Sequence, residues 1–359
     1  MANGAYISLG SEEVVLSTDS VTSAMWSNNS PTLRTYYTSS AQLASAAAPY
    51  YITVFQTAST DTTAEIQFDS VYCDSQGSAS APLNALVPGV SPTRTNYGQY
   101  RNLVLGDENA SFIFGNYSAS YFYVMNLERA RYKQSILPGT WTLNLSGSTN
   151  AANDKLILTD DSIVNNVAKF SDAGRYYNII SGSAGVVAQG YSGQVDGWTP
   201  NNGSYGWVLP DVNLLILNGA ALDGAIADGG INLATVRNTS TYNTATGGNN
   251  GILIDALNRG GLTPVSPTGF TLNSQENLSS DFIFCRAKNA EFNYSANPSF
   301  ISSSTGAILF DSFIENPTTY ITTVGLYNNS QELLATAKLS RPLEKDFTKE
   351  LLVRVKLDF

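Results

Sequence analysis

The last forty or so residues restrict what this chain can become more than any other stretch. From Leu351 to Phe359 apolar and polar residues alternate, with Leu351, Val353, Val355, Leu357 and Phe359 on one face and Arg354, Lys356 and Asp358 on the other. A period of two belongs to a strand covered on one side, not to a helix. Upstream, Tyr320–Tyr327 is dense in β-branched and aromatic residues, which suit a pleated, half-buried surface. Asn328-Asn329 follows, a pair that tolerates the left-handed backbone of tight turns, and Glu332–Leu339 reads as the return strand. Pro342 has no amide hydrogen to donate and is expected to stop that ladder. Free termini fray, so an apolar strand running to the last residue predicts an end tied into a sheet.

The same texture runs through the rest of the chain. Tyr50–Phe55 and Ala64–Cys73 read as strands separated by a Ser/Thr/Asp turn, with Ile66 and Phe68 sharing a face. Ser111–Phe114 and Tyr121–Asn126 read as a further strand pair. Beyond Trp141 glycine becomes frequent and the strands shorten: Trp141–Leu145, Lys155–Thr159, Tyr176–Ile180 and Gly185–Ala188. A hairpin turns through Pro210-Asp211, and helical turns are expected at Ala220–Ile226 and Ile252–Leu257. Asp281–Ala287 resumes β structure. The expected class is mainly β: two or more antiparallel β-sandwich-like modules with long loops and few short helices. The divisions expected are 1–140, a glycine-rich inserted module at 141–280, and 281–359, the last packing with the first.

Composition narrows the chemistry. Charged residues make up 13% of the chain, about half the usual share, so Ser, Thr, Asn, Gln and Tyr must form much of the surface. The net charge of −10 disfavours nucleic acid and anionic membranes as partners. There is no His, which excludes Ser-His-Asp and Cys-His catalysis and every His-ligated metal site. Cys73 and Cys285 lie far apart in strand-like runs and are expected as buried free thiols. No apolar run reaches membrane-spanning length, and the N-terminus lacks the pattern of a signal peptide.

The run Asn316–Asn329, continued by Leu334–Ser340, resembles a hairpin module of virion structural proteins from T-even-like contractile-tailed phages, particularly marine and cyanobacterial ones. The resemblance covers about the last seventy residues, with a second patch from Arg129 to Gly139. It implies a non-enzymatic tail component, most simply of the baseplate wedge, assembled in the host cytoplasm and kept in the virion. Its partners would be other tail and baseplate proteins, tail fibres and further copies of itself, and no cofactor or metal is expected. The assembly surface would include Tyr320, Leu326, Tyr327, Val353, Val355 and Phe359.

Leu127–Gln134 holds the densest cationic cluster, with Arg129, Arg131 and Lys133. Two readings stand: a solvated turn, or a docking patch whose Arg forks pair with a partner's carboxylates. Tyr191, Trp198, Tyr205 and Trp207 sit among Asn and Gly, as rings do on a sugar-binding face. A fibre-connecting or receptor-binding protein with a carbohydrate-reading central module is therefore the alternative function, set against the plainer reading of aromatics packed on a sheet. Asp160-Asp161, Asp223-Gly224 and Asp228-Gly229 lack the register of a calcium loop and read as turn chemistry.

Overall fold

In the computed structural model, which describes residues 6–38, 51–77, 93–147, 155–165, 167–188, 203–233, 249–261, 269–295 and 297–358, the alternating runs form strands. The protein is mainly β, with antiparallel sheets and short helices. It divides into a central unit, Val21–Glu276, and a terminal unit that joins Met1–Ser20 to Asn277–Phe359.

Among the described residues, the central unit is organised by an eleven-stranded sheet. Leu214–Asn218 pairs with Tyr121–Leu127, which pairs in turn with Ile66–Asp74 and through it with Tyr51–Phe55. Residues on both sides of position 140 thus share one sheet, with Ile216 opposite Val124, and the boundary expected there is corrected. The reason lies in the strand Tyr121–Leu127: its second edge needs backbone partners, and the continuous apolar run Leu214–Leu217 supplies them while burying both of its faces.

Side-chain parity assigns the two faces. Tyr123, Met125, Leu215 and Leu217 join one buried cluster, while Phe122, Val124, Leu214 and Ile216 join the other. The first face is covered by the helix Asn249–Gly261, which is longer than the sequence suggests. It lies close on the strand Leu143–Ser146: a side chain at Gly260 would strike the carbonyl oxygen of Asn144. The second face is covered by the helix Thr93–Leu105 and by the hairpin Phe112–Phe114 with Tyr117–Ala119. Phe112–Phe114 therefore pairs with Tyr117–Ala119 and not with Tyr121–Leu127 as expected. The helix Thr93–Leu105 was illegible because its buried positions, Thr93, Asn96, Tyr97 and Val104, mix polar with apolar residues and leave no apolar stripe.

The ladder between Tyr51–Phe55 and Ile66–Asp74 carries one irregularity. Val54 stands opposite Phe68 and Phe55 opposite Ile66, so Gln67 is a bulge. Ile66 and Phe68 consequently do not share a face: Phe68 is fully buried, and Ile66 is exposed.

In the terminal unit, Leu351–Asp358 pairs along its length with 280–287, Val355 opposite Ile283, and Val14–Ala24 flanks the same central strand. The alternation read from sequence is present: Leu351, Val353, Val355 and Leu357 are covered to varying degrees, while Arg354, Lys356 and Asp358 are exposed. Thr319–Tyr327 and Leu333–Lys345 form the hairpin. Pro342 does not end it. The ladder jumps from Thr323 opposite Lys338 to Ile321 opposite Leu343, so that Leu339–Pro342 lie in the irregularity, where a missing amide hydrogen costs no ladder bond. The turn is also built differently from expectation: Gln331 takes the left-handed backbone (φ 63°), and Asn328 acts through its side chain, accepting from the Glu332 amide at 2.8 Å.

Candidate functional site

Two surfaces gather the residues that sequence singled out. The first is the terminal unit. Tyr320 is 64% exposed and Tyr327, exposed as well, meets Tyr6 edge-on with ring centroids 5.1 Å apart. Leu326 and Val353 are half-buried. Val355 is a correction: it is buried opposite Ile283 and supports the sheet instead of facing outward. Phe359 lies outside the described residues. Leu334, 69% exposed, and Leu352, 62% exposed, belong to the surface and were missed. Leu352 was legible in retrospect, because period two sets it on the face of Arg354 and Lys356. That face is cationic over an aromatic: Arg354 and Lys356 lie 5.4 Å and 5.8 Å from the centroid of Phe282. Among the described residues the strand Leu351–Asp358 pairs on one edge only.

The second surface is the cationic turn of the central unit. Glu128 leaves the strand Tyr121–Leu127 by donating its amide to the Gln67 carbonyl at 3.0 Å, and Arg129–Arg131 then forms a single 3-10 turn. The Lys133 amide donates to Ser274 Oγ at 2.9 Å, which fixes the exit. Arg129 donates to the Tyr132 carbonyl and lies 4.8 Å from the Tyr132 ring centroid. Arg131 pairs with Glu65 through Nη1 and Oε2 at 2.6 Å. The side chains of Arg129 and Lys133 are exposed.

Facing this turn is the loop Trp26–Ser30, closed by the Trp26 amide donating to the Ser30 carbonyl at 3.1 Å. Asn28 and Asn29 both hold positive φ, 61° and 53°, which Asn tolerates better than most residues. The bulged, fully buried Gln67 ties the parts together: its Oε1 accepts from the Ser27 amide, and its Nε2 donates to Gln56 Oε1 and to the Glu65 carbonyl. Between loop and turn lies a groove of about 570 Å³. Sequence reasoning found the three cations but not the groove. Its opposite wall comes from residues about a hundred positions away and is held by a glutamine whose orientation depends on a bulge.

The sugar-binding constellation is corrected in its described half. Tyr205 is fully buried and donates to the Gly229 carbonyl at 2.7 Å; Trp207 is buried among Phe112, Phe114 and Tyr176. Two residues apart, the rings would share a face in a regular strand. Tyr205 precedes the strand Gly206–Leu209, however, and the backbone breaks at Gly206 (φ 135°), so they enter opposite cores of one sheet and neither offers a face to a sugar. Tyr191 and Trp198 lie outside the described residues. The acidic pairs are structural. Asp160 accepts from the amides of Gly139 and Ser162, and burial pushes its carboxyl up from the ordinary range. Asp161 accepts from the Asn178 amide and side chain, and Gly229, at φ 86°, closes the turn after Asp228. Asp223 accepts from the Tyr121 hydroxyl at 2.6 Å. Among the described residues no group of three Cys, Asp or Glu converges as a metal site. Cys73 and Cys285 are free thiols, Cys73 buried and Cys285 half-buried, and burial raises both pKa values. No described helix is long and apolar enough to cross a membrane.

Compared with known proteins, the chain matches no family model, no curated protein sequence and no solved structure.

Proposed function

We propose that this chain is a non-enzymatic structural component of a contractile phage tail, in the baseplate, and that its terminal unit joins neighbouring subunits. One observation carries the reading. The terminal unit presents Tyr320, Leu334 and Leu352 to solvent on thin antiparallel sheets, one of which ends, among the described residues, in a strand paired on a single edge. Exposed apolar side chains beside an open sheet edge are what a permanent interface covers, by side-chain burial and by strand addition. The resemblance of Asn316–Ser340 to tail hairpin modules supports the same reading and supplies the partners: other baseplate proteins, tail fibres and further copies of the chain. The net charge of −10 leaves nucleic acid and anionic membranes outside that set.

The test is incorporation. Deleting Leu351–Phe359 is expected to abolish entry of the protein into tails. The double variant Leu334→Ser/Leu352→Ser keeps the strand and is expected to lower entry while leaving the isolated chain folded. Tails of normal composition carrying either variant would refute the proposal.

A further inference from the structure

The groove of the central unit holds hydrogen-bonding capacity that the fold does not use. Ser27 is only 7% exposed, yet its Oγ has no hydrogen-bond partner. Arg131 is less deeply covered: its side chain is 14% exposed and its Nη1 is engaged by Glu65, but its Nε is buried without a partner. A buried donor left unpaired costs free energy, so a ligand that meets it binds more tightly. The same groove is lined by the exposed Arg129 and Lys133 and by Asn28 and Asn29. In a chain with 19 cations and 29 carboxylates, three cations on one groove of about 570 Å³ make an anion site.

The chemistry narrows the anion further. A nucleic acid needs an extended basic track, and here a single turn is basic in an acidic protein. An acidic sugar would use an open aromatic face, but Trp26 is buried with Nε1 committed to the Phe270 carbonyl, and the Arg129 guanidinium lies against the Tyr132 ring. What remains is a compact carboxylate with a hydrogen-bonding backbone. Glu65, about half exposed at the lip, already shows the geometry by holding Arg131 in a charge-assisted bond.

We propose that this groove binds an acidic segment of polypeptide on a neighbouring subunit, seating one of its carboxylates on Arg129, Lys133, the Nε of Arg131 and the Oγ of Ser27. The inference rests on the assembly reading for the source of the peptide alone. The binding chemistry stands on the groove.

The experiment uses the full chain and a dye-labelled hexaglutamate peptide at low salt, followed by fluorescence anisotropy. Hexaglutamine serves as the neutral control, and oligogalacturonate and a DNA oligonucleotide as unlabelled competitors. Hexaglutamate is expected to bind and hexaglutamine not to. Arg129→Gln/Lys133→Gln, two exposed positions, is expected to weaken binding about tenfold or more. Ser27→Ala removes a hydroxyl that has no partner within the protein, so it is expected to weaken binding several-fold without lowering the melting temperature. Failure of hexaglutamate to bind, equal binding by the three proteins, or stronger binding of oligogalacturonate or DNA than of hexaglutamate would each overturn the proposal. The assembly reading is judged separately, by incorporation of the Leu334→Ser/Leu352→Ser variant.

Discussion

The two units of this protein bury different things. In the central unit the largest fully buried side chains are aromatic: Trp141, Tyr72, Tyr205 and Phe68 in one core of the sheet, Phe112, Phe114 and Phe122 in the other. In the terminal unit the largest fully buried side chain is Lys345. Its Nζ donates to the Asn289 and Asp346 carbonyls and to Asn293 Oδ1, at 2.9, 2.8 and 2.7 Å, so all three of its protons are placed. The terminal unit also exposes Leu334, Leu352, Phe310 and Leu16. One unit closes its own core. The other buries fewer apolar side chains, Ile283, Phe313 and Val355 among them, and adds the polar ties of Lys345, while exposed apolar side chains occur in both units, Phe170 and Val167 in the central one.

Breaking a core side chain is expected to have the largest effect, and in the central unit. Phe68 is fully buried against Trp26, Tyr36 and Phe270, and Phe68→Ala is expected to cost about 3–5 kcal/mol in denaturant unfolding. A loss below about 1 kcal/mol would mean that the central unit does not close its own core.

Lys345→Met comes next. It keeps the stem but leaves one buried and two part-buried acceptors without their donor, and about 1–3 kcal/mol of stability in the terminal unit should go with it. Hydrogen exchange would show protection lost in 277–358 and retained in the central sheet; uniform loss across both units would erase the contrast between them.

Acid should separate the units by sign. Hydrogen bonds from Thr348 and the neighbouring Lys349 hold the Asp346 carboxyl down at about 2, while Arg286 holds Glu350 and Lys356 holds Asp358 below their ordinary values. Depressed carboxyls contribute stability that is present above pH 4 and is lost as pH falls towards 2. In the central unit burial pushes Asp69, Asp74 and Asp160 up, so their contribution improves as pH falls; Asp61 and Asp211 are the exceptions. Between pH 5 and pH 2, amide protection in the terminal unit is expected to fail first, and Asp346→Asn to reduce the slope. Simultaneous loss in wild-type protein would count against this.

The smallest effect on the isolated chain is expected at the exposed apolar positions. Leu334→Ser/Leu352→Ser should shift unfolding by no more than about 0.5 kcal/mol per site, because both side chains already face water. A larger loss in the monomer would mean that the terminal unit covers these leucines by itself.

Local pattern fixed a good deal by itself. Alternation at Leu351–Asp358 was enough for a strand and its faces, and the turn residues around Pro210-Asp211 were enough for a hairpin, because period and turn chemistry act over a few residues. Partnership was decided elsewhere. Nothing near Tyr121–Leu127 announces that its neighbour is Leu214–Asn218, and a module boundary at 140 looked reasonable until backbone pairing across ninety or so positions removed it. Burial of Tyr205 and Trp207 was equally hidden, since an aromatic among Asn and Gly looks alike whether its strand is central or at an edge. The cations of Arg129–Lys133 were plain in the sequence, but the groove they line was not. It depends on the bulge at Gln67 and on the loop Trp26–Ser30, which only long-range pairing brings opposite them. Sequence determined which segments could be strands and where charge was scarce. Tertiary structure decided which edges meet, because hydrogen-bond satisfaction and apolar burial are settled between segments and not within them.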